Sequence, residues 1–67
     1  MEPNVIQLRR LFETLRQELK FQWRTRYIEL LPSGVLILIF EHPTNVSWRC
    51  LYTIPLDGEW EKREFHV

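Results

Sequence analysis

A chain of 67 residues with one cysteine and two histidines excludes an intramolecular disulfide and an ordinary four-ligand zinc site, so a hydrophobic core has to hold it folded without staples. Nine basic against nine acidic side chains give a formal net charge of zero, which speaks against a dedicated duplex-binding protein, since phosphate contacts normally show as a basic excess. The start Met1-Glu2-Pro3-Asn4 lacks the form of a secretory signal, and no apolar run approaches the roughly 20 residues that span a bilayer; the expectation is one small domain over residues 1–67, cytoplasmic and without a membrane partner.

Asn4 with Gln7 three residues on has the form of a capped helix start. Val5, Leu8, Phe12, Leu15 and Leu19 then recur at spacings of three and four, with Leu11 widening the stripe and Arg9, Arg10, Glu13, Arg16, Gln17 and Lys20 filling the rest. This periodicity predicts an amphipathic helix that lays its apolar side on a sheet. Phe21 to Leu31 is ambiguous. Phe21, Trp23, Thr25 and Tyr27 alternate with Gln22, Arg24 and Arg26 as in a strand, yet no Gly, Pro or Asn separates the segment from the helix. The strand is the preferred reading, because a helix from Val5 to about Leu30 would reach close to 40 Å, too long for so small a globule to cover.

Pro32-Ser33-Gly34 is turn chemistry, and Val35-Leu36-Ile37-Leu38-Ile39-Phe40 follows as six consecutive apolar residues. Such a run predicts a strand buried on both faces. After Pro43-Thr44-Asn45, the segment Val46 to Ile54 alternates, with Trp48, Cys50, Tyr52 and Ile54 on one side. Pro55-Leu56-Asp57-Gly58 predicts a hairpin into a last strand, Glu59 to Val67, whose charged middle suits a sheet edge. The fold class that results is α+β: one N-terminal amphipathic helix packed on a three- to four-stranded antiparallel β-meander.

One helix covers one face of such a sheet. The other face of the central strand should then be an apolar interface, expected at Ile37 and Ile39 with Leu51 and Ile28 on neighbouring strands. The expected partner is a second copy of the chain, or else another protein. Residues 1–31 carry six basic and four acidic side chains and residues 32–67 three and five, a division that reads as self-complementarity.

Candidate chemistry is sparse. Trp23-Arg24, Trp48-Arg49 and Trp60 near Lys62 and Arg63 set aromatics beside cations, so a single-stranded nucleic-acid binder using Arg24, Arg26 and Arg49 is the alternative reading. Neighbouring strand residues point to opposite faces, which weakens that platform. Cys50 sits between Trp48 and Tyr52 on the side expected to face the core, where a thiol serves as a small apolar residue, and His42 and His66 fall at segment ends. Neither Gly34 nor Gly58 belongs to a phosphate loop, and Asn45-Val46-Ser47 matches a glycosylation triplet without a secretory context. These absences point to a non-enzymatic interaction module, a regulator or an assembly subunit, with no catalytic residue, cofactor or metal expected.

Overall fold

A computed structural model describes residues 4–57 and 59–67. Helix α1 spans Val5–Lys20, followed by strands β1 (Arg24–Leu30), β2 (Leu36–Glu41), β3 (Trp48–Ile54) and β4 (Glu61–His66). The strands form one antiparallel sheet in the order β1-β2-β3-β4, an open meander with α1 on one face.

The predicted cap is present. Asn4 Oδ1 accepts from the Gln7 N–H at 2.8 Å and Gln7 Oε1 accepts from the Asn4 N–H at 3.0 Å, which satisfies two donors that a helix start leaves open. At the other end the Gln22 N–H bonds Leu19 O at 3.0 Å and the Trp23 N–H bonds Glu18 O at 2.9 Å, while Gln22 takes a φ of 66°. That pair of bonds is a Schellman stop, and it separates α1 from β1 where no glycine announces it. The long-helix alternative is thereby excluded, and β1 starts at Arg24 rather than Phe21.

Gly34 sits at φ 91° in the turn before β2, with its N–H on Leu31 O at 2.8 Å, and Leu56 packs so closely that a Cβ there would lie 2.8 Å from Leu56 Cδ1. The core is built from alternate residues of the two central strands. Leu36, Leu38 and Phe40 of β2 and Cys50, Tyr52 and Ile54 of β3 are buried, with Leu11, Leu15, Trp23, Leu30 and Trp60 packed around them. Ile37 and Ile39, on the face without the helix, are only half-buried in the single chain. One helix can cover one side of a pleated strand, and the side chains pointing the other way have only their strand neighbours for cover. The last strand is exposed and at an edge, as its charges predict, while the Asp57-Gly58 step of the hairpin falls partly outside the described residues.

Candidate interaction surfaces

Residues paired across an antiparallel ladder share a face, so the register sorts every strand residue. On the face without a helix, Tyr27, Ile39, Leu51 and Arg63 form one row across the four strands, and Glu29, Ile37, Thr53 and Glu61 form the next. The centre of this open face is apolar and its margins are charged. Leu51, Thr53, Glu61 and Arg63 also line a shallow depression there together with Lys62.

Three of the four residues expected at an interface, Ile37, Ile39 and Leu51, come together on that face. Ile28 does not. It stands opposite Leu38, on the helix side, where it remains exposed. The cause is a bulge between Thr25 and Tyr27: Thr25 faces Phe40 while Tyr27 faces Ile39, so the chain changes side within β1 and a simple two-residue period cannot be carried through it.

The helix also lies differently from the expectation. Its buried residues are Gln7, Thr14 and Glu18, which at about 100° per residue fall within an arc of about 40°, whereas the stripe of Val5, Leu8, Phe12, Leu15 and Leu19 is centred about 120° away. Val5, Phe12 and Leu19 are exposed. The polar seam is held by specific bonds. Gln7 Nε2 donates to Gly34 O at 2.6 Å and reaches Ile54 O at 3.3 Å, and the buried Glu18 carboxylate accepts from the Tyr52 hydroxyl, with Lys62 Nζ 3.8 Å away. Buried polar groups are costly unless paired, so these contacts orient α1 about its own axis. Thr14 Oγ1 meets no partner among the described residues.

The direction in which the displaced stripe faces follows from chirality. The His42 side chain lies on the helix side and its N–H points to Trp48 O of β3. For an L-residue this places β3 to the right and β1 to the left of β2, seen from the helix side with β2 running upward. Helix α1 runs in the same sense, with Gln7 beside Gly34 and Ile54 at one end and Glu18 O bonded by Trp23 at the other. In a right-handed helix so oriented, side chains about 120° beyond the sheet-facing line point left and partly away from the sheet. The apolar stripe therefore overhangs β1, where Ile28 lies on the same face.

At the far end of the sheet His42 stacks on Trp48 at 4.5 Å with the planes 6° apart, His66 lies against Trp48 at 5.7 Å, and the edge of Trp23 meets both His42 and Trp48. Because β2 and β4 flank β3, the two imidazoles approach Trp48 from opposite sides. Both faces of that indole are occupied, and it lies on the side of the sheet away from Arg49 and Arg24, which pair on either side of the buried Glu41. Arg26 sits in the bulge. Arg24 and Arg49 thus lie on the face opposite Trp48. This histidine cluster is a feature that sequence reasoning missed, since only the register of three strands assembles it.

Cys50 is fully buried and burial pushes its thiol up to about 11, so it is a protonated core residue at neutral pH. Burial and the bond to Glu18 push the Tyr52 hydroxyl up as well. Among the described residues no cluster of three His, Cys, Asp or Glu side chains could hold a metal ion, and no helix is long and apolar enough to cross a membrane. No protein family, curated protein or solved structure matches this chain.

Proposed function

We propose that this chain is a small non-enzymatic interaction module, a regulator or an assembly subunit, that works as a homodimer joined through the open sheet face. The observation that carries the reading is the apolar centre of that face, Ile37 and Ile39 of β2 beside Leu51 of β3, half-buried in the single chain and lying on the two central strands. Sheets that pack face to face stand about 10 Å apart, so residues of this size on both copies can interdigitate and exclude water. The charged margin, Glu29 and Glu61 in one row and Arg63 in the next, offers both signs to a partner related by a two-fold axis.

Sedimentation equilibrium at micromolar concentration tests this. The expected species is a dimer, and substitution of Ile39→Glu converts it to a folded monomer. A wild-type chain that sediments as a monomer of 8.3 kDa overturns the reading.

A further inference from the structure

On the open face the charges are sorted along the strands. The register places Arg24, Glu41, Arg49 and Phe65 in one row, Tyr27, Ile39, Leu51 and Arg63 in the next, and Glu29, Ile37, Thr53 and Glu61 in the third. The first two rows hold three arginines against Glu41, and the third holds two glutamates with no cation. The face is therefore positive at one end and negative at the other, with Ile37, Ile39 and Leu51 between.

We propose that two copies of the chain meet on this face with their strands reversed, about a two-fold axis that crosses the strands between the row of Ile39 and the row of Ile37. This orientation rests on the sheet-to-sheet homodimer put forward above and adds how the second copy is seated. Two aligned sheets related by a two-fold axis in the plane between them can have that axis along the strands or across them. An axis along the strands lays β1 on β4 of the partner subunit at equal height, so Glu29 stands against Glu61 of the partner subunit, twice, and the arginine-rich rows also face one another. An axis across the strands lays each strand on its own copy running backwards, so the positive end meets the negative end. Placed on the row of Ile39, that axis would oppose Arg63 to Arg63 of the partner subunit. Placed half a row further, about 3.5 Å along the strands, it sets Arg63 against Glu61 of the partner subunit and Ile39 against Ile37 of the partner subunit, each reciprocally. Either direction of the axis buries the same apolar residues, so opposition of like charges selects between them. Arg63 and Glu61 are exposed in the single chain, and their pairing fixes orientation more than affinity.

A nitroxide label on Ser33→Cys reads the axis directly, because Ser33 lies in the exposed turn beyond the Ile37 row and the native Cys50 is buried and stays unlabelled. With reversed strands the two labels sit at opposite ends of the dimer, roughly 30 Å apart at a rise of about 3.4 Å per residue, whereas an axis along the strands brings them within about 20 Å. The longer distance is the expected result. In sedimentation equilibrium Glu61→Arg should weaken the dimer about fivefold or more, and the exchange of Glu61→Arg with Arg63→Glu should restore it to within about twofold, since arginine then faces glutamate again. Both positions are exposed on the edge strand, and circular dichroism should stay unchanged. A short label distance, or a dimer tightened by Glu61→Arg, overturns the reversed arrangement and leaves the sheet-to-sheet dimer standing. A monomeric wild type, or a dimer that Ile39→Glu leaves intact, overturns the sheet-to-sheet reading itself and this orientation with it.

Discussion

The hydroxyl of Tyr52 on β3 donates its hydrogen to the buried carboxylate of Glu18 on α1, and this one bond joins the helix to the sheet at a point where most small domains would place two apolar side chains. Lys62 Nζ lies 3.8 Å from the same carboxylate and 5.6 Å from the centre of the Tyr52 ring. Lys62 is half-exposed, so its share is small, and most of the energy at risk belongs to the two buried partners.

Removing either partner alone should therefore be worse than removing both. Glu18→Leu strands a buried hydroxyl and Tyr52→Phe strands a buried carboxylate, each expected to cost about 2–3 kcal/mol, with the carboxylate the dearer. The double variant should lose less than the sum of the two. Urea unfolding of the four proteins gives the coupling energy, and simple additivity would show that the bond does not hold the helix.

Gln22 occupies the left-handed position of the helix stop, which glycine adopts without steric penalty. Gln22→Gly should stabilise the chain by about 0.5–1 kcal/mol, less the entropy that glycine adds to the unfolded state. A rise in the urea midpoint at unchanged slope would show it, and a fall would mean that the Gln22 side chain has a role of its own.

The two faces of β2 should respond differently to truncation. Leu38 is fully buried under α1, so Leu38→Ala should cost about 3–5 kcal/mol through lost burial and a cavity. Ile39→Ala on the open face should cost about 1–2 kcal/mol in a dilute monomer, because its site is already partly wet. Equal losses at the two positions would place both in one core.

Alkaline pH should unfold the chain through its buried thiol and phenol. Cys50 ionises near 9 when unfolded and near 11 when folded, so the stability it contributes is complete below pH 9 and disappears between about 9 and 11. Two units correspond to about 3 kcal/mol at most. Tyr52 is raised in the same direction and reinforces the loss above its own unfolded value near 10. Cys50→Ala should flatten the decline between pH 9 and 10.5 in urea titrations. An unchanged profile would show that the thiol is not the group responsible.

Patterns that depend on neighbours along the chain were legible from the residues alone. The Asn4 and Gln7 cap, the turn at Gly34, the alternation of Trp48 to Ile54 and the charged edge at β4 each follow from local sterics, hydrogen bonding or a two-residue period. Together they determined an α+β meander with one helix. Tertiary structure alone decided how the pieces face one another. The bulge in β1 moved Ile28 to the helix side, bonds from Gln7 and Glu18 to the sheet rolled the apolar stripe outward, and strand register gathered Trp48 with two histidines. Periodicity locates a residue on a face of its own element, but which face meets which neighbour is settled by contacts between residues far apart in the chain, and here those contacts include the polar bonds of Gln7 and Glu18.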